Sequence, residues 1–281
     1  MPDPARLLRT LKQAIQAFKN TPGRRGLMIY PDRADEMMVV GDLHGSVENF
    51  RLVLKRAELA SHAGRHLVLQ ELIHGPFRYP GGGDRSHQLV DLVAALKCQY
   101  PDRVHLILAN HELSQCKFQD IAKTEGDLNA LFREGVAAAY GAEARSIYAA
   151  YLELFVALPV GLKTSNRVFV SHSLPSAARL TGFELAILER DSHDENEFRP
   201  GGAVHALLWG RDTSPTNVKA FLHRVDADWL ITGHIPCSEG FLHPNDKQVI
   251  LDAQGTPACY SLCSVRRPLS HSDLIGSVAT L

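Results

Sequence analysis

Five short apolar runs in this chain end in the same way, and that repetition constrains its fold more than any other feature. Met37 to Val40 runs into Gly41-Asp42-Leu43-His44-Gly45, and His66 to Leu69 into Gln70-Glu71. Val104 to Leu108 is followed by Ala109-Asn110-His111-Glu112, Arg167 to Val170 by Ser171-His172-Ser173, and Trp229 to Thr232 by Gly233-His234. Short β-branched runs bounded by breakers read as buried strands. In open α/β sheets, ligands bind at the carboxyl ends of the strands. A single D-x-H pair is weak evidence for a metal, and a lone strand-end histidine is more often a hydrogen-bonded structural residue. Five strand ends sharing one grammar point instead to a common ion site. Oxygen and imidazole donors without thiolates suit manganese, iron or zinc.

Composition removes several other classes. The 30 basic and 31 acidic residues nearly cancel, which leaves no electrostatic footprint for nucleic acid or anionic lipid. No apolar run approaches the roughly 18 to 20 residues of a membrane span. Leu7, Leu8, Leu11, Ile15 and Phe18 recur at helical spacing, so residues 1–20 read as an amphipathic helix docked on the domain rather than a signal peptide; a partner-binding helix is the alternative. Cysteines 98, 116, 237, 259 and 263 are few and irregularly spaced, which suggests a reducing compartment and a cytoplasmic location. With no repeat and no splitting linker, residues 1–281 are expected to form one domain.

Helices are expected over 47–60, 86–100, 182–189 and 218–224, and over 128–158 with a break near Gly141. Gly75 to Gly83 is a breaker-rich loop. Its Phe77-Arg78-Tyr79 tip either overhangs the site or packs on its own domain. Asp191 to Gly202 reads as charged and flexible. Val249 to Asp252 and Ala258 to Val265 read as closing β-hairpins.

Such a ligand set supports phosphoester hydrolysis. Two divalent metals about 3.5–4 Å apart activate a bridging water and draw charge from the phosphoryl oxygens. An imidazolium protonates the leaving alkoxide, and arginines grip the phosphate in bidentate fashion.

The residues resemble the calcineurin-like metallophosphoesterases, and within them the serine/threonine phosphatase-like phosphoprotein phosphatases, whose blocks run GDxHG, GDxxDRG, GNHE, a strand ending in a metal-binding His, then GH[ST]. Gly41-Asp42-Leu43-His44-Gly45 stands intact, and Ala109-Asn110-His111-Glu112 lacks only the first glycine. Val168-Phe169-Val170-Ser171-His172-Ser173 is similar to the HGGLSP-type segment with both glycines replaced, and Thr232-Gly233-His234-Ile235-Pro236 is close to GHTP. Leu207 to Asp212 resembles the tryptophan-containing loop whose arginine binds phosphate in the bacteriophage-type enzymes. The resemblance spans about residues 37 to 255. It implies an α/β fold, a β-sandwich of two mixed sheets flanked by helices with the metal site at strand carboxyl ends.

It further implies two divalent metal ions, manganese first, with iron or zinc as alternatives. One would be held by Asp42, His44 and a bridging carboxylate, the second by that bridge with Asn110, His172 and His234. His111 would be the general acid and Arg211 a phosphate clamp. The second block departs from the pattern. Glu71 takes the bridging place at the strand end, and Asp84-Arg85-Ser86 follows only after the Gly/Pro loop. On that alignment Asp84 orients His111 and Arg85 binds phosphate; a rival alignment makes Asp84 itself the bridge. His74 is an extra ligand or a loop residue. The implied activity is a dinuclear metal-dependent hydrolase of phosphomonoesters in proteins. A nucleotide phosphohydrolase of the diadenosine polyphosphate type, another small-phosphoester hydrolase and a degenerate phosphate-binding protein are the alternatives.

Overall fold

The computed structural model describes residues 3–118, 122–123 and 126–281. Two sheets form its centre. The first runs, in spatial order, Val278–Thr280, Cys259–Ser264, Glu36–Val40, Arg65–Gln70 and Val104–Ile107. Its last three strands are parallel, with Met38 opposite Leu67 and Leu67 opposite Val104. The second runs Arg24–Arg25, Met28–Ile29, Gly161–Lys163, Val168–Ser171, Trp229–Thr232, Gln248–Leu251 and Phe241–Asn245. Here too a parallel core, 168–171 beside 229–232 beside 248–251, is flanked by antiparallel strands.

Alternation within each strand explains the layering. Side chains of successive strand residues point to opposite faces. Met37, Val39, Val68 and Ile107 join Val168, Val170, Ile231 and Val249 in one apolar cluster shared by both sheets. Met38, Val40, Leu67, Leu69 and Leu106 instead pack with helical residues such as Phe50, Val53, Leu89, Val93, Phe132 and Phe155. On the second sheet Phe169 meets Phe221 of the Pro215–Arg224 helix, ring centroids 5.5 Å apart. Burial on both faces is why these strands read as unbroken apolar runs. Each such side chain, fully removed from water, contributes about 1.5–3 kcal/mol.

The Pro4–Lys19 helix buries Leu7, Leu11, Ala14, Ile15 and Phe18 against the His87–Gln99 and Ala144–Val156 helices. The break expected near Gly141 separates Leu128–Tyr140 from Ala144–Val156. No helix of the described residues is long and apolar enough to cross a membrane. The stretch read as flexible carries a 3-10 turn, Glu195–Phe198.

Two expectations change. Gln248–Leu251 forms its hairpin with Phe241–Asn245, whereas Cys259–Ser264 crosses to the other sheet and pairs antiparallel with Glu36–Val40. Apolar patterning marks a strand but does not choose its partner. The Gly/Pro loop is a small hairpin, Arg78–Tyr79 against Gly82–Asp84. It is pinned to the Leu128–Tyr140 helix because Gly83 and Gly135 meet backbone to backbone; a Cβ on Gly135 would lie 1.8 Å from Asp84 O.

The parallel trio of the first sheet and the 168–171 and 229–232 strands of the second deliver their carboxyl ends to one place. There a bridge between Asp42 and Asp252 links the sheets, with Ala253 N donating to Asp42 O at 3.0 Å.

Candidate metal centre

The chain turns abruptly at these strand ends. His44, Glu71, His74 and His234 all adopt positive φ, of 40°, 46°, 62° and 67°. A non-glycine residue held there costs about 1–3 kcal/mol and persists only where its surroundings impose it. Here the turns aim side chains from separate strands into one buried space.

Hydrogen bonds fix which ring nitrogens face that space. Gln70 Nε2 donates to Val40 O at 3.1 Å, so Gln70 Oε1 faces His172 Nδ1 at 3.0 Å and accepts its proton. His172 Nε2 is left with its lone pair. It lies 2.7 Å from Asn110 Oδ1, 3.2 Å from His234 Nδ1 and 3.5 Å from Glu71 Oε1. Asn110 Oδ1 and His234 Nδ1 are 3.0 Å apart. Two acceptors at 2.7 Å repel unless a cation or a proton is shared between them. Donors about 2.1 Å from a metal sit roughly 3.0–3.4 Å from one another in octahedral or tetrahedral shells, so this group has the spacing of a coordination shell.

On the other side of Glu71, His44 Nδ1 donates to Ile73 O at 2.9 Å, which leaves Nε2 as the acceptor, 3.1 Å from Glu71 Oε2. Asp42 Oδ2 accepts from His234 N at 2.7 Å, while its Oδ1 accepts no hydrogen bond among the described residues. Acceptor atoms of Asp42, Glu71 and His172 lie within 4.8 Å of one another, and all three residues are buried. Glu71 thus turns Oε2 to His44 and Oε1 to His172, within one buried group of donors that could hold a divalent cation. The approach is so close that Gly233 has no room for a side chain; a Cβ would lie 2.1 Å from Asp42 Oδ1.

Electrostatics agree with this reading. Burial, then the charge of Glu71, pushes the Asp42 carboxyl well above its ordinary range. Two carboxylates buried together disfavour each other's ionisation unless a positive charge joins them. Burial holds His172 well below the usual histidine value, with His234, His44 and Arg211 adding to the effect. His234 falls to about 3 through burial and then Arg211. Neutral imidazoles are the form that binds metals.

The structure brings Asp42, His44, Glu71, Asn110, His111, His172 and His234 together. His111 Nε2 is 3.9 Å from Glu71 Oε1, and its ring stands edge-on to His44 with centroids 5.0 Å apart. Arg211 is exposed, and its charge is felt by both His172 and His234. Its loop is clamped beside the site because Ser173 Oγ donates to Gly210 O.

The contacts of Asp84 differ from those expected of a residue that orients His111. The Asp84 carboxylate accepts from Ser86 N and Ser86 Oγ, both at 2.8 Å, and faces Arg78 at 3.6 Å. It neither holds His111 nor joins the donor group, because the hairpin carrying it is fastened to the Leu128–Tyr140 helix. Arg85 is exposed over the Tyr79 ring, 5.6 Å from its centroid. Tyr79 in turn pairs with His87 at 2.9 Å, so this loop packs on its own domain.

His74 contacts His111 instead, with their Nδ1 atoms 3.0 Å apart. A signal for this was present. His74 follows Glu71 by the spacing that separates the two aspartates of GDxxD, so the block is rewritten in place rather than interrupted. Gln70 and Glu112 were also missed as supports; Glu112 Oε1 accepts from Leu72 N at 2.8 Å and Ile73 N at 3.2 Å, holding the loop between Glu71 and His74.

Comparisons with known proteins agree with this architecture. The family model for calcineurin-like phosphoesterases matches residues 37–238. The chain is 25% identical over 243 residues to a probable serine/threonine-protein phosphatase of Encephalitozoon cuniculi, covering 80% of this chain and 48% of that protein. It thus spans about half the length of that relative. It is 26% identical over 251 residues to the serine/threonine-protein phosphatase 4 catalytic subunit of Kluyveromyces lactis, covering 84% of this chain and 74% of the relative. In fold it is similar to a protein serine/threonine phosphatase of Saccharomyces cerevisiae, with a TM-score of 0.69 at 14% identity, covering 94% of this chain and 84% of that one. A cold-active protein-tyrosine phosphatase of a psychrophilic Shewanella shares the fold with a TM-score of 0.61 at 15% identity and the same coverage of both chains.

Proposed function

Because the chain belongs to the calcineurin-like phosphoesterase family, we propose that its strand-end centre hydrolyses phosphomonoesters with two divalent cations, acting on phosphoserine or phosphothreonine in proteins. The observation that carries this reading is the division of Glu71, with Oε2 toward His44 and Oε1 toward His172. The extra methylene of glutamate reaches both sides, so the rewritten block still supplies a bridge.

In this reading Asp42, His44 and Glu71 hold one cation, and Glu71, Asn110, His172 and His234 the other. Cations bound there would draw charge from the phosphoryl oxygens and lower the pKa of water toward about 7. The oxygen and imidazole donors suit manganese, iron or zinc, and we take manganese as the metal to test first. Gln70 holds His172, and Ile73 O holds His44, in the tautomer that presents Nε2, while His234 turns Nδ1 to the same space. His111 delivers a proton from Nε2 to the leaving oxygen as general acid. Arg211, at the exposed mouth, holds phosphoryl oxygens through its planar fork. Beside it a 210 Å³ cavity lined by Ser176, Arg179, His205 and Trp209 leaves space for residues flanking the phosphate. The protein phosphatases among the relatives favour a phosphoprotein over a dinucleotide.

The test is metal content with turnover of para-nitrophenyl phosphate, a phosphoserine peptide and diadenosine tetraphosphate, for the wild type and His111→Ala. Manganese-dependent turnover of the first two, strongly reduced in the variant, is expected. Turnover confined to the dinucleotide would overturn the substrate class. Neither metal nor turnover under manganese supplementation would overturn the enzyme reading.

A further inference from the structure

His74 is neither a metal-facing residue nor a loop histidine at the surface. It is buried, held at φ 62°, and packed edge-on against Phe132 with ring centroids 6.1 Å apart. Its backbone N donates to Ser86 Oγ at 3.2 Å. One ring nitrogen meets His111 Nδ1 at 3.0 Å, and the other meets Gln115 Oε1 at 2.8 Å.

The direction of these bonds follows from one group that can only accept. Gln115 Nε2 approaches the main-chain oxygen of Asn129 at 3.3 Å and Tyr148 Oη at 2.7 Å. A carbonyl has no proton to give, so the Gln115 amide nitrogen donates there and its oxygen faces His74. His74 must therefore carry its proton on Nε2, and its Nδ1 is an acceptor. His111 then donates from Nδ1, and its Nε2 is directed to the Glu71 side of the site, 3.9 Å from Oε1.

We propose that His74 is the positioning residue for His111, a neutral imidazole acceptor that holds His111 Nδ1–H and fixes the ring so that Nε2 takes a proton from solvent and, as the imidazolium, passes it to the leaving oxygen, returning to the Nδ1–H tautomer. The inference rests on the phosphoesterase reading for its catalytic part and on hydrogen-bond polarity alone for its tautomeric part. A ring nitrogen held by such an acceptor keeps its orientation without a buried carboxylate. The strained φ of His74, with Gln115 behind it, is what aims the acceptor. Asparagine is the informative replacement, because its amide oxygen occupies nearly the position of a histidine Nδ1 and the residue tolerates positive φ. Leucine keeps the bulk and removes the acceptor.

Two measurements separate the parts. In metal-free protein, ¹⁵N chemical shifts of the His111 ring report its tautomer; the wild type and His74→Asn are expected to be protonated on Nδ1, and His74→Leu to show a mixture. In manganese-loaded protein, phenyl phosphate needs a proton on its leaving group, whereas 2,4-dinitrophenyl phosphate does not. His74→Leu is expected to lower kcat for phenyl phosphate by about 10²-fold, the lower range for general-acid catalysis, and for the dinitrophenyl ester by less than about threefold. KM should hold, and His74→Asn should recover most of the loss. Equal losses on both esters, no recovery with asparagine, or a wild-type His111 protonated on Nε2 alone would overturn the proposal. A wild type that hydrolyses neither ester would overturn the phosphoesterase reading and the catalytic part with it. The tautomer result stands or falls independently of turnover.

Discussion

The loops after Val40 and after Gln70 lie side by side, joined where Leu43 N and His44 N both donate to Glu71 O at 3.0 and 2.9 Å. They meet the same requirement with different residues. The first keeps the small-residue form, Gly41-Asp42-Leu43-His44-Gly45. The second carries a glutamine, a glutamate and a histidine where the family pattern has glycine, aspartate and aspartate. Yet each replacement reaches a partner: Gln70 reaches Val40 O and His172, Glu71 reaches both donor sets, and His74 reaches His111. The difference teaches that this centre constrains where donor and acceptor atoms sit rather than which side chains carry them.

If that is correct, the two loops should respond differently to substitution. The largest effect belongs to the intact one. Asp42→Asn removes a ligand charge without changing shape, and kcat/KM should fall about 10³-fold, equivalent to about 4 kcal/mol. Steady-state kinetics at saturating manganese check this, and a loss under tenfold would remove Asp42 from the ligand set. In the rewritten loop, Gln70→Leu leaves Val40 O and His172 Nδ1 without their partner. Metal affinity, measured by titration, should weaken about 10- to 100-fold, as for other groups that support a ligand from behind. Unchanged affinity would make Gln70 a mere space-filler. Smaller still, Asp84→Asn should leave kcat/KM within a small factor of wild type, in contrast to His74→Leu; a large loss would restore the aspartate to the role first read for it.

The rewritten strand also carries a pH signature remote from the metal centre. His66 Nδ1 faces His105 Nε2 at 3.0 Å across two parallel strands, and both rings are buried. Burial, then Arg103, lowers His66 to about 4, and burial holds His105 well below the ordinary value. Unfolded histidines bind protons near pH 6.5 while these do not. Stability from the pair is therefore fully present above about pH 6.5 and lost as pH falls toward 4. Urea midpoints should drop across that window and drop less in a His66→Leu/His105→Leu protein; equal slopes would contradict the assignment.

Much of this was legible in the chain because it is local. Apolar runs ending in donor residues located five strands to within about a residue at most ends, and the donor residues at those ends meet in one buried space. What was not legible depends on distant partners. Gln70 gains its role from His172, 102 positions away, and His74 from Gln115 and His111, 41 and 37 positions away. Asp84 misled because a Gly/Pro-rich stretch looked like an interruption of the motif, when it is a hairpin anchored by the Gly83–Gly135 contact. The Cys259–Ser264 strand misled for a similar reason, since a strand pattern carries no information about which edge it joins.

The central claim is that Glu71, one methylene longer than the family's aspartate, bridges two cations. Manganese stoichiometry of the wild type and Glu71→Gln, measured on purified, reloaded protein together with its electron paramagnetic resonance spectrum, tests it most directly. Two ions per wild-type chain with a spin-coupled signal are expected, and one or none, uncoupled, in the variant. Two coupled ions in Glu71→Gln, or a single uncoupled ion in the wild type, would contradict it.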